Sequence, residues 1–213
     1  MAVLQEHVKT YLRSLRPERA SVMAEMEALA ERDSVPIVHW EAGRFLASLC
    51  RATDLRVLEV GTAIGYSALH MAEALEHGKL VTLEIDPARA ATARKFLDDA
   101  GVGDRVEIVE GDARETLPRL EGPFDMLFLD AKKDQYRDYL RLADPLLSER
   151  ALLVVDNLLM SGEVALAQDT DTYWGDDSLA AAREFNSELL QSERWLGSVL
   201  PIGDGVGFAA RRG

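Results

Sequence analysis

The chain has 213 residues, 47% of them hydrophobic, enough to bury a full core. A formal net charge of −13 argues against nucleic acid or anionic lipid as an electrostatically attracted partner. The single cysteine, Cys50, excludes an internal disulfide framework and a multi-thiolate metal site, and it reads as a small core residue on a helix.

The opening residues Met1-Ala2-Val3-Leu4-Gln5-Glu6-His7 are amphipathic and soon charged, and no apolar run is long enough to span a bilayer. No signal peptide or membrane segment is expected, and the expected location is the cytoplasm. Helical periodicity then covers 3–15, a break at Arg16-Pro17, 18–32 and 38–51, with Asp33-Ser34-Val35-Pro36 as a turn. From residue 56 strands and helices alternate. The spacing predicts strands over 56–60, 80–85, 106–110, 124–130 and 152–156, and helices over 67–75, 88–100, 135–147 and 178–190. Two final strands, 195–200 and 207–210, flank the turn Pro201-Ile202-Gly203-Asp204-Gly205 and read as an antiparallel hairpin. Such alternation specifies an α/β, doubly wound, mostly parallel seven-stranded sheet with helices on both faces and a terminal antiparallel strand. With no internal repeat, low-complexity tract or Ser/Pro-rich linker, one domain is expected over 1–213: an N-terminal helical part (1–54) and an α/β core (55–213).

The most informative segment is Val57-Leu58-Glu59-Val60-Gly61-Thr62-Ala63-Ile64-Gly65-Tyr66-Ser67, a buried strand running through a glycine turn into a helix. Gly61 and Gly65 let a ligand lie against bare backbone, and the free N–H groups of the following helix favour a carboxylate or phosphate. The dinucleotide fingerprint G-x-G-x-x-G/A fails at two of its three positions, which weakens a dehydrogenase reading. Glu84, at the end of the next strand in Leu83-Glu84-Ile85-Asp86, is placed to bind two ribose hydroxyls. A plain crossover with glycines that only relieve crowding is the alternative.

Ligands of open α/β sheets bind beyond the carboxyl ends of the strands. There the fourth strand ends in Asp130-Ala131-Lys132-Lys133-Asp134-Gln135-Tyr136 and the fifth in Asp156-Asn157. If those strands are neighbours, Asp130, Asp156 and Asn157 converge as two carboxylates and an amide oxygen. Such hard ligands suit Mg²⁺, with Ca²⁺ or Mn²⁺ as substitutes. Taken singly, Asp130 reads as a helix N-cap and Asp156-Asn157 as an Asx turn; their joint position favours the metal. His7, His39, His70 and His77 lie in different elements without zinc-helix spacing and read as packing or surface residues.

Assembled, these motifs resemble the cation-dependent O-methyltransferases of the catechol and caffeoyl-coenzyme A type. The resemblance begins at Val35-Pro36, runs through residues 58–67, Glu84-Ile85-Asp86-Pro87, Gly111-Asp112-Ala113, residues 130–136 and Asp156-Asn157, and ends at Leu200-Pro201-Ile202-Gly203-Asp204-Gly205. It implies a class I, Rossmann-like methyltransferase fold that uses S-adenosylmethionine and a divalent cation. It further implies Glu59, Gly61, Thr62, Gly65 and Ser67 around the methionine end of the cofactor, Glu84 at the ribose and Asp112-Ala113 at the adenine. By the same resemblance Asp130 would serve both the metal and the methionine amino group, and Lys133, rather than Lys132, would take the position of the catalytic lysine. For general-base work its ammonium pKa would have to fall. Small bacterial members commonly form homodimers, which would give the N-terminal helices a role.

The expected reaction is methyl transfer to one hydroxyl of a metal-chelating vicinal diol, a catechol or caffeoyl-like small aromatic. The loop 162–177 follows no regular pattern; Tyr173 and Trp174 could stack on the acceptor, with the loop as a lid. Two rival readings are a methyltransferase for hydroxyuridine in transfer RNA, opposed by the negative charge, and a catalytically silent cofactor-binding dimer, opposed by the retention of Asp130, Lys133, Asp156 and Asn157. DNA and membranes are not expected partners.

Overall fold

The computed structural model describes residues 5–167 and 170–213. Three helices come first, α1 (Glu6–Ser14), α2 (Ser21–Asp33) and α3 (Trp40–Thr53). Residues 3 and 4 of the helix expected over 3–15 lie outside the described residues. None of the side chains of α1 is buried, whereas α2 and α3 insert Met23, Met26, Ala30, Ala42, Leu46 and Cys50 into the core. Cys50 is fully buried, as its helical setting predicts.

The α/β part consists of β1 (Val57–Val60), α4 (Tyr66–Ala74), β2 (Leu80–Glu84), α5 (Pro87–Asp99), β3 (Val106–Glu110), α6 (Ala113–Thr116), β4 (Phe124–Leu129), α7 (Tyr136–Ala143), β5 (Leu147–Val155), α8 (Asp176–Leu190), β6 (Trp195–Leu200) and β7 (Val206–Arg211). The seven strands are ordered β3-β2-β1-β4-β5-β7-β6. Strands β1 to β5 pair in parallel, and β7 runs antiparallel between β5 and β6. Every residue of β1 is buried because helices cover both faces of the sheet. One apolar cluster joins α2, α3, α4 and α5 to one face, and a second joins α7 and α8 to the other. Among the described residues no helix is long and apolar enough to cross a membrane.

Two expectations change. The helix expected over 135–147 stops at Ala143, because Pro145 lacks an N–H and crowds the preceding turn; Asp144–Leu146 becomes a 3-10 turn instead. Strand β5 therefore starts at Leu147 rather than at 152. Its partner for Leu147 is Phe124 and its partner for Leu152 is Met126, so β5 carries extra residues that bulge out of the ladder. Beyond the bulge the register is regular, and Leu129 faces Val155. Asp130 and Asp156 thus follow directly on paired residues, with the Asp156 N–H donating to the Leu129 carbonyl at 3.0 Å. Short helical segments also appear where none was expected, at α6 and over Met160–Ala165. Other boundaries differ only at element ends.

Candidate active site

Because β2, β1, β4 and β5 lie side by side and in register, the residues that follow them open onto one cavity of about 1150 Å³ above the sheet. Gly61, Thr62, Ala63, Tyr66, Ser67, Glu84, Asp112 and Ala113 line it, together with Asp130, Lys133, Asp156 and Asn157. Tyr173 and Trp174 lie at its rim.

The glycine turn is built around a close approach. Gly61 has φ +104°, and a Cβ there would stand 2.2 Å from the Asp130 carbonyl oxygen, so β1 and β4 can lie this near only with glycine at that position. After the turn α4 starts without a side-chain cap, Gly65 being its N-cap, which leaves first-turn N–H groups free toward the cavity. Gly65 itself does not line the cavity.

Glu59 lies beneath the turn rather than in the cavity wall, fully buried. Its carboxylate accepts from the Ser67 and Thr82 hydroxyls at 2.5 Å each, and Thr82 is joined to Thr62 at 2.6 Å. Burial pushes the Glu59 carboxyl up to about 7 against these hydrogen bonds, with Asp130 and Glu84 adding repulsion. The Glu84 carboxylate is fixed by backbone: it accepts from Ala63 N–H at 2.7 Å and from Asp86 N–H at 3.0 Å. Two Glu84 oxygens at the cavity wall retain lone pairs for further donors. Beside it Ile85, 67% exposed, offers an apolar surface that sequence reasoning did not single out. Asp112 caps α6 by accepting from Arg114 N–H at 2.9 Å and pairs with the Arg114 guanidinium at 2.6 Å, which holds its carboxyl below the usual range.

Beyond β4, Asp130 is not a helix N-cap; its Oδ1 accepts from Lys133 Nζ at 2.9 Å. Asp156 is buried and accepts from Asn157 N–H at 2.8 Å, and Asn157 takes φ 63°, which turns the chain sharply away from β5. Burial and then the negative charge of Asp130 push the Asp156 carboxyl up to about 7. Lys133 also lies over the Tyr136 ring, 5.4 Å from its centre, and the Tyr136 hydroxyl donates to the Asp156 carbonyl at 3.2 Å. Burial would pull the Lys133 ammonium down, but Tyr136 and Asp130 outweigh it and hold the pKa above its ordinary value. The fall expected for a free general base is thus absent from the chain by itself. Lys132 is exposed and pairs with Asp134. Among the described residues no group of three or more His, Cys, Asp or Glu side chains is placed to hold a metal ion; Asp130, Asp156 and Asn157 bring two carboxylates and one amide to the cavity wall.

The rim near Tyr173 and Trp174 contains groups that the sequence did not reveal. Glu163 accepts from the N–H groups of Tyr173 and Trp174, at 3.1 and 3.2 Å, and so holds both aromatics at the cavity; their rings meet edge to face. Residues 168–169 of this loop lie outside the described residues. His39, read from sequence as a packing or surface residue, lines the cavity with its Nε2 3.7 Å from Asp204, and Ser161 donates to Asp204 at 3.2 Å. No local pattern points to His39 or Glu163; Asp204 stood in the Gly203-Asp204-Gly205 turn without a role.

A family model described as O-methyltransferase matches residues 14–212. The chain is 39% identical over 181 residues to a catechol O-methyltransferase of Niastella koreensis, covering 81% of this chain and 79% of the relative. It is 42% identical over 163 residues to a catechol O-methyltransferase of Mycobacterium tuberculosis, covering 73% and 72% respectively. The structure of the O-methyltransferase TomG from Streptomyces achromogenes, in complex with S-adenosylmethionine, superposes with a TM-score of 0.84 at 30% identity, covering 99% of this chain and 100% of that one. A match over nearly the whole length, on a sheet whose strand ends gather into one cavity, shows that the chain belongs to the O-methyltransferase family.

Proposed function

We propose that the chain transfers a methyl group from S-adenosylmethionine to one hydroxyl of a vicinal diol, a catechol or caffeoyl-like small aromatic, with a divalent cation held by Asp130, Asp156 and Asn157. The observation that carries this reading is the opening of Asp130, Lys133, Asp156 and Asn157 onto the same cavity as the glycine turn and Glu84. The family's methyl donor and the names of its catechol-acting relatives support it.

On this reading the α4 N-terminal N–H groups receive the methionine carboxylate, Glu84 accepts from the ribose hydroxyls, and the adenine lies between Ile85 and Asp112-Ala113. Glu59 acts from below, holding Ser67 and through it the first turn of α4. Two neighbouring carboxylates, one of them buried and pushed toward neutrality, fit a cation that would relieve their repulsion. A divalent cation there supplies Lewis acidity that lowers the pKa of a bound hydroxyl. Lys133, held as an ammonium while Asp130 is its partner, stabilises the acceptor oxygen as that oxygen gives up its proton to solvent, and takes the proton itself only where the Asp130 charge is engaged elsewhere and the amine is neutral. The acceptor oxygen forms its bond to the methyl carbon as the carbon–sulfur bond breaks, releasing S-adenosylhomocysteine; Tyr173 and Trp174 flank the aromatic ring and hold it in line. Pairing of two copies through the N-terminal helices belongs to the same proposal, supported by Tyr11 and Leu15 standing exposed on and beside α1.

The test is a methyl-transfer screen with catechols, caffeoyl esters and undermodified transfer RNA, each with and without Mg²⁺. Turnover of a catechol that chelator abolishes and Mg²⁺ restores is expected, and Asp156→Ala should lose turnover while still binding the cofactor. Full-rate catechol methylation in chelator would remove the cation from the mechanism.

A further inference from the structure

On the side of the glycine turn facing the N-terminal helices lies a polar cluster that the proposed chemistry does not use. Tyr66, the first residue of α4, is 2% exposed, and its hydroxyl donates to Glu27 Oε1 of α2 at 2.7 Å. The Glu27 carboxylate also receives the guanidinium of Arg16, in the connection between α1 and α2, and Arg19 lies 3.3 Å from its other oxygen. Arg16 in turn donates to the Tyr66 oxygen at 3.3 Å and lies over the Trp40 ring at 5.4 Å. The Tyr66 ring packs edge to face on His70, one turn further along α4, at 4.9 Å. Burial would push the Glu27 carboxyl up, but the hydrogen bonds from Arg16 and Tyr66 outweigh it, so Glu27 stays an anion.

The first turn of α4 is therefore held from two sides, by Ser67 on Glu59 within the sheet and by Tyr66 on Glu27 in the helical layer. We propose that Tyr66 is a positioning residue for S-adenosylmethionine, and that the Arg16–Glu27–Tyr66 chain of hydrogen bonds makes the N-terminal helices part of the cofactor site. This rests on the assignment of the cofactor to residues 61–67 made above. Hydrogen bonds to a charged group are the stronger kind, so breaking this one lets α4's uncapped first turn sample positions that cannot bind. Apparent affinity falls in proportion to the fraction of chains that remain competent. By reciprocity, bound cofactor tightens the latch by the same factor.

S-adenosylhomocysteine binding is measured by calorimetry on the full chain for wild type, Tyr66→Phe, Glu27→Gln and the double variant. Phe keeps the ring against His70, and Glu27 does not line the cavity, so the second variant changes no wall of the site. Each single change should weaken binding on the order of tenfold, equivalent to about 1.4 kcal/mol. The double variant should bind no more weakly than either single one, since both break one chain of contacts. The effect should appear in the KM for S-adenosylmethionine and not in that for the acceptor. In wild type the bound ligand should also slow tryptic cleavage after Arg19, and in Glu27→Gln it should not. Variants that melt earlier yet bind like wild type would show a merely structural cluster and overturn the proposal, as would fully additive losses. A wild-type chain that does not bind S-adenosylhomocysteine would overturn the cofactor reading itself, and the latch with it.

Discussion

Glu59 offers the sharpest test of how the site is built, because the structure makes a carboxyl that never reaches the cavity expensive to ionise. Its pKa rises from 4.5 to about 7 on folding, chiefly by burial. At ~1.36 kcal/mol for each pH unit that rise corresponds to about 3 kcal/mol of stability. The folded chain binds this proton more tightly than the unfolded chain, so the stabilisation is fully present below the unfolded pKa and is lost as pH rises through about 7. Glu59→Gln removes the titration while keeping the shape. Its amide oxygen can accept from one of the Ser67 and Thr82 hydroxyls, and its NH₂ can donate to the other. Urea unfolding of both proteins, from about pH 4.5 to about pH 8, gives the difference in stability at each pH, in which titrating groups that do not interact with Glu59 cancel. That difference should shift by about 3 kcal/mol in favour of Glu59→Gln as pH rises. Parallel curves would mean that Glu59 ionises as in water, and that the desolvation inferred for the floor of the turn is wrong.

At the cofactor end, Glu84→Ala should weaken S-adenosylhomocysteine binding by roughly 1–3 kcal/mol, measured calorimetrically, and an unchanged dissociation constant would place the ribose elsewhere. Lys133→Ala should lower turnover by ~10²–10⁴-fold and Lys132→Ala far less, because only Lys133 is held against Asp130 inside the cavity; equal losses in steady-state assays would refute this distinction. Gly61→Ala should cost roughly 2 kcal/mol or more in urea unfolding, since its Cβ would collide with the Asp130 carbonyl at a positive φ. The same substitution should also weaken cofactor binding by displacing the ends of β1 and β4, and wild-type affinity would show that the close approach is not needed by the site.

Some of this was legible in the residues because it depends on local rules. The alternation from Val57 onward, the doubly apolar strands and the glycine turn each follow from periodicity and backbone sterics, which act over a few residues. Asp130, Asp156 and Asn157 could be singled out because strand ends are where such sheets bind ligands, whereas Lys133 stood out only through the resemblance to a known family. Whether Asp130 and Asp156 meet depended on a long-range fact, the pairing of β4 with β5 and the bulge that brings Leu129 opposite Val155. No local pattern states a register. The stopping of α7 at Pro145 was readable, yet the continuous apolar spacing beyond it masked the break. Glu59 illustrates the same limit from the other side. Its place in the motif marks it as important, but only the packed sheet decides that its carboxylate faces Ser67 and Thr82 inside rather than the cavity. His39, Glu163 and the Glu27–Tyr66 contact join residues far apart in the chain, through side chains whose directions are set by tertiary packing. The sequence by itself determined the elements and the chemical groups offered at their ends. Tertiary structure decided which groups meet and how dry they are, because desolvation and close contact arise only when distant segments exclude water together.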